Sequence, residues 1–107
     1  MDIKITGKHI DITETIRAEI EEKVSGLPKF YSSVIDAEVI VEGGKEGATN
    51  SVEIIARAKH NHIFVAKEVG QDIFGCVEEV IRKIERQITK QKQKERDNKH
   101  IRKITEE

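Results

Sequence analysis

VEIIARAKHNHIFVAKEVGQDIFGCVEEVIRKIERQI, residues 52–88, changes its hydrophobic period part-way along, and that change sets the fold class. Val52, Ile54, Ala56 and Ala58 alternate with Glu53, Arg57 and Lys59, the period of a strand with one wet face. His60-Asn61-His62 reads as a tight connection, because Asn tolerates a left-handed backbone. Ile63 to Lys67 gives another short strand. Beyond Gly70-Gln71-Asp72 the step becomes three or four. Ile73, Val77, Val80, Ile81, Ile84 and Ile88 then share about a third of a helix circumference.

Working outward, Ile35, Ala37, Val39 and Val41 alternate with Asp36, Glu38 and Glu42. The loop Gly43-Gly44-Lys45-Glu46-Gly47 separates them from the strand at 52. Nearer the N-terminus, Ile3 and Ile5 mark a strand over residues 2–6. Thr13 is a good N-cap, with Glu14 at the positive end of the helix dipole. Ile16, Ile20, Val24 and Leu27 follow on one helix face, and Gly26 and Pro28 are expected to stop that helix. The order is β-α-β-β-β-α. It predicts an α+β two-layer sandwich: a four-stranded antiparallel sheet with two helices on one face. Residues 1–95 are expected to form the domain and 96–107 a short, mobile polar tail.

The 107 residues suit one domain. Charged residues make up 36%, yet 19 basic against 20 acidic side chains leave a net charge of only −1. That balance conceals a separation. Residues 80–103 hold ten Lys/Arg and three acids; the rest of the chain holds nine and seventeen. A basic segment set apart in this way suits a polyanion, although a solvated Lys-rich helix end has the same composition. The single cysteine, Cys76, permits neither an internal disulfide nor a zinc ribbon. No apolar run approaches a membrane span, and MDIKITGK has no apolar signal core, so a cytoplasmic protein without membrane contact is expected.

On a helical wheel Arg82, Lys83, Arg86, Lys90 and Lys94 gather away from the apolar face, with Lys92 off that stripe. Such a row neutralises successive phosphates and releases their counterions. Arg adds planar, bidentate donors. Aromatic side chains are few (Phe30, Tyr31, Phe64, Phe74, no Trp), so recognition by shape and backbone is expected ahead of base stacking.

Several stretches resemble a known family. ITG at Ile5–Gly7, DIT at Asp11–Thr13, GQDIF at Gly70–Phe74 and KIERQITKQKQK at Lys83–Lys94 are similar to segments of the ribosome hibernation promoting factors. The resemblance spans residues 1 to about 95. It implies a fold related to double-stranded-RNA-binding domains. It also implies binding to small-subunit rRNA between head and body, over the tRNA and mRNA sites, silencing ribosomes in stress or stationary phase. Carried over by position, Lys83, Arg86, Lys90, Lys92 and Lys94 match the family's RNA contacts on the second helix, and Lys23 and Lys29 match its second basic cluster. Arg82 comes from the wheel alone. Gly26 stands where the family often has Lys, and Pro28 is unusual there. The chain resembles a short member, without the extra domain by which long members pair ribosomes. Short members either promote or block ribosome dimerisation, and the mixed tail from Arg96 to Glu107 leaves both open.

No catalytic constellation is expected, nor a cofactor, a small-molecule substrate or a metal; off the ribosome a monomer is expected. His60 and His62 form an HxH pair without a third ligand in view. Cys76 lies beside the apolar face with no paired His. Asp72 reads as a helix start and Glu79 as surface charge. Gly43, Gly44 and Gly47 precede no GK[ST] and make no phosphate loop. Two other functions stay open: a protein adaptor or sigma-factor modulator acting through its acidic surface, and a double-stranded-RNA binder without ribosome specificity.

Overall fold

A computed structural model describes residues 1–44 and 49–105, with side chains as far as Arg96. The loop positions Lys45 to Gly47, the side chains of the tail after Arg96, and Glu106 and Glu107 lie outside the described residues. The elements run β1 (Asp2–Lys8), α1 (Glu14–Val24), α2 (Leu27–Phe30), β2 (Val34–Gly43), β3 (Asn50–Ala58), β4 (His62–Gly70) and α3 (Ile73–Thr105).

The sheet is four-stranded, in the order β1-β2-β3-β4. It departs from expectation in one respect: β1 pairs with β2 in parallel, Ile3 opposite Ala37 and Ile5 opposite Val39, so the sheet is mixed. The cause is the connection. A tight turn makes strands antiparallel, whereas the crossover through α1 returns the chain to run the same way. The other two pairings are antiparallel. Between β3 and β4, His60 (φ 64°) and Asn61 (φ 62°) both take the left-handed conformation, as the tight connection requires.

Thr13 caps α1, its Oγ1 accepting the Ile16 N–H at 3.2 Å. The helix ends at Val24, short of the expected Leu27. Gly26 and Pro28 do not simply stop it. They restart the chain as α2, with Pro28 in the first turn, where a missing N–H costs nothing. Leu27 remains in the core from this new element.

The core lies on one face of the sheet. Val39, Val41, Val52, Ile54 and Ala56 are fully buried under Ile20 and Val24 of α1 and Val77, Val80, Ile84 and Ile88 of α3. Among the described residues every buried side chain is apolar except the Cys76 thiol and the Tyr31 phenol. The opposite face is open. It carries the expected charges, but also exposed Ile63, Val65 and Val69 on β4. At 33 residues α3 is about 50 Å long, and the last of its described core residues, Ile88, sits near its middle.

A candidate nucleic-acid interface on the long helix

Arg82, Arg86, Lys90 and Lys94 fall four apart and all are exposed. Core packing of Ile81, Ile84 and Ile88 fixes the rotation of α3 and so turns this row outward. Its members differ in what they touch. Arg82 donates to Glu79 at 2.7 Å. Among the described residues, no carboxylate lies within ion-pair distance of Arg86, Lys90 or Lys94.

Lys83 has a different setting. Its Nζ sits 3.0 Å from Glu68 and donates to the Lys67 carbonyl at 3.2 Å. The Lys83 ammonium, helped by the Val69 N–H, holds the Glu68 carboxyl below its ordinary value. Gln87 and Gln91 follow Lys83 at four-residue steps. Gln87 Nε2 donates to the Val65 carbonyl at 2.7 Å, and Gln91 Nε2 lies 3.1 Å from His62 Nε2. Lys83 and Gln87 thus satisfy carbonyls along β4, an edge strand that would otherwise offer them to another chain, while Gln91 meets a β4 side chain. Nothing in the local sequence marks Gln87 or Gln91 for this task, because the partners lie on another element.

Lys92 faces the other flank of α3. It donates to the Phe30 carbonyl at 3.2 Å and stands 5.0 Å from the centre of the Phe30 ring. Nearby, Tyr31 Oη donates to Glu95 Oε1 at 2.7 Å. Burial and then the Glu95 bond push the Tyr31 hydroxyl pKa up, and the same bond draws Glu95 down. These contacts keep α3 against the body of the protein as far as Glu95, although its apolar pattern fades after Ile88. Lys29, Lys92 and Arg96 line one open pocket here, with Phe30 and Tyr31. Lys23 is half-buried at the end of α1 and does not join them. Arg96, past the clear apolar pattern of the helix, lines this pocket and Lys23 does not.

The other candidates have plain structural settings. Asp72 Oδ1 accepts the Phe74 N–H at 3.1 Å at the start of α3. Cys76 is buried, and burial, ahead of Glu68 and Asp72, raises its thiol pKa. Among the described residues no group of three or more His, Cys, Asp or Glu side chains is placed to hold a metal. No helix among them is long and apolar enough to cross a membrane.

The family model described as "Sigma 54 modulation protein / S30EA ribosomal protein" matches residues 3–96, the whole sheet together with α1, α2 and most of α3. The chain belongs to this family. It is 28% identical over 94 residues to the ribosome hibernation promoting factor of Escherichia coli K12, covering 88% of this chain and 96% of that one. It is 32% identical over 79 residues to the factor of the same name from Acidithiobacillus ferridurans, covering 73% of this chain and all of the other. In fold it is similar to a ribosomal subunit interface protein from Coxiella burnetii, with TM-score 0.77 and 22% identity over 86% of this chain and 98% of that one. It is also similar to the N-terminal domain of Thermus thermophilus Protein Y, with TM-score 0.75 and 21% identity over 84% and 98%.

Proposed function

We propose that this protein is a ribosome hibernation factor. It binds small-subunit rRNA in the channel used by tRNA and mRNA, and holds translation down in stressed or stationary cells. It acts by occupancy in the cytoplasm, as a monomer off the ribosome, with no reaction, cofactor, small-molecule substrate or membrane. The observation that carries this reading is the row Arg86, Lys90 and Lys94. These cations are exposed on a helix that runs on past the core, and among the described residues no carboxylate neutralises them. Family membership supplies the target, since the relatives bear the name ribosome hibernation promoting factor. Lys29 and Lys92 add charge on the other flank, and Arg82 heads the same row but is paired with Glu79. Lys23 and Lys83 stand further back, one half-buried and one paired with Glu68.

The test is co-sedimentation with ribosomes and separated subunits at low and moderate salt. The wild-type protein is expected to pellet with the small subunit. Arg86→Glu with Lys90→Glu is expected to lower affinity at least ~100-fold, since two phosphate contacts become repulsions. Thermal melting should hardly change, because both side chains are exposed. Unchanged pelleting of the double variant, or no pelleting of the wild type at low salt, would end this reading.

A second reading has one observation behind it. Ile63, Val65 and Val69 are exposed on the open sheet face, where Glu38 and Glu53 are also found. An adaptor docking there would be insensitive to Arg86 and Lys90, and sensitive to charge reversal at Glu38 and Glu53.

A further inference from the structure

Phe30 ends the four-residue α2 and keeps 37% of its surface open to solvent, even with the Lys92 ammonium against its ring. What sets this ring apart from the other exposed apolar side chains is its company of cations. Phe74 is about as exposed, but Asp72, whose carboxylate accepts the Phe74 N–H, and Glu78 on the next turn put negative charge beside it. Around Phe30 the setting is the reverse. Lys29, Lys92 and Arg96 line the same pocket, as do the hydroxyl residues Ser32 and Ser33.

Among the described residues Glu95 is the one opposing charge in that lining, and its Oε1 is already engaged by the Tyr31 hydroxyl at 2.7 Å and by Gln91 at 3.4 Å. Three cations suit a phosphate, and hydroxyls add neutral donors to it. A flat ring beside them suits the base attached to that phosphate, because every base has a stackable face. A bare anion would need no ring, and an acidic peptide would bring no flat partner for it.

We infer that the pocket formed by Phe30, Lys29, Lys92 and Arg96 takes one unpaired nucleotide of an RNA strand, with the base on the Phe30 ring and the phosphate among the cations. This rests on the RNA-binding reading above and adds a specific subsite to it. The few aromatics in the chain argue against a platform that tracks a whole strand. They do not argue against one ring at one position. Lys90 and Lys92 lie about 200° apart round α3, so the helix would be gripped on two flanks, by backbone contacts along the Arg86 row and by a stacked base opposite.

Because the chain has no tryptophan, Phe30→Trp installs a single indole in the pocket, excited at the red edge of its absorption where Tyr31 does not absorb. That variant is titrated at low salt with a single-stranded hexaadenylate, and with an abasic ribose–phosphate hexamer carrying the same number of phosphates. Saturable quenching by the hexaadenylate, and much less by the abasic strand, is expected. Equal quenching by both, or none by either, overturns the inference. A second arm uses small ribosomal subunits. Phe30→Leu keeps apolar bulk without a stacking face and should bind roughly tenfold more weakly, while Phe30→Trp retains affinity. If wild-type protein binds and the Arg86/Lys90 reversal releases it, yet Phe30→Leu binds as wild type, only the subsite falls. If wild-type protein does not bind subunits at all, the ribosome reading falls, and the hexamer titration judges the pocket by itself. Should Phe30→Leu fail to fold, the tryptophan titration decides.

Discussion

The two halves of α3 obey different rules. From Ile73 to Ile88 the helix is held by burial: Val77, Val80, Ile84 and Ile88 are fully enclosed against the sheet and α1. From Thr89 to Arg96 no side chain is buried, and the helix is held by polar contacts alone: Gln91 to His62, Lys92 to Phe30 and Glu95 to Tyr31. The cations change with them. Near the root, Arg82 and Lys83 are paired with Glu79 and Glu68; further out, Arg86, Lys90 and Lys94 have no carboxylate within reach among the described residues. A Lys or Arg on an exposed helix is therefore not one kind of residue. Where acids stand on the same turn or the adjacent strand, the charge is absorbed by the fold; beyond them it is available to a partner.

The largest effect should come from the root. Ile84→Ala removes a fully buried side chain between α3 and the sheet, and is expected to cost about 2–5 kcal/mol in urea unfolding. Gln93→Ala, the same kind of truncation on the outer half, should stay within about 0.5 kcal/mol. If the two variants unfold alike, burial does not divide the helix as described.

A smaller effect should separate the paired cation from the unpaired one. Arg86→Gln is expected to reduce the slope of log affinity against log salt for ribosome binding by about one. Lys83→Gln should leave that slope nearly unchanged. It should instead lower stability slightly, as expected for an exposed pair. Equal slopes for the two variants would mean that the Glu68 contact gives way when RNA arrives.

The same division explains what could be read from the residues alone. The β-α-β-β-β-α order and most of the core faces were legible, because burial imposes a period of two or 3.6 on neighbouring positions; Ile35 departs from it, since a register shift between Val34 and Asp36 buries Val34 and exposes Ile35. The outward row on α3 was legible for the same reason, since the rotation that buries Ile84 and Ile88 exposes Arg86 and Lys90. The parallel pairing of β1 with β2 was missed, although the intervening helix demands it. Gly26 and Pro28 were read as an ending when they also begin α2, because Pro suits a first helical turn as well as a stop. What local sequence could not supply was partnership across distance. Phe30 and Lys92, or Tyr31 and Glu95, are more than sixty positions apart, and no periodicity links them. Hence the wheel grouped Lys83 with Arg86, though one serves the sheet edge and the other faces solvent.

The smallest effect sharpens the account of the outer half. Tyr31→Phe keeps the ring against Phe64, whose centre is 6.1 Å away, and deletes only the hydroxyl that holds Glu95. At neutral pH it should cost about 0.5–1.5 kcal/mol. The sign of the pH dependence follows from the two shifts. The Tyr31 bond draws the folded Glu95 pKa below its unfolded value, so its contribution is present above the ordinary carboxylate range and lost as the pH falls through the depressed value. Burial and Glu95 raise the folded Tyr31 pKa, so that contribution is present below the ordinary tyrosine range and lost as the pH rises through the raised value. Wild-type and Tyr31→Phe stabilities should therefore differ on the neutral plateau and converge at both ends. A constant difference from acid to alkali would mean that the hydroxyl stabilises the protein without Glu95. The outer half of α3 would then be held by Gln91 and Lys92 without Glu95.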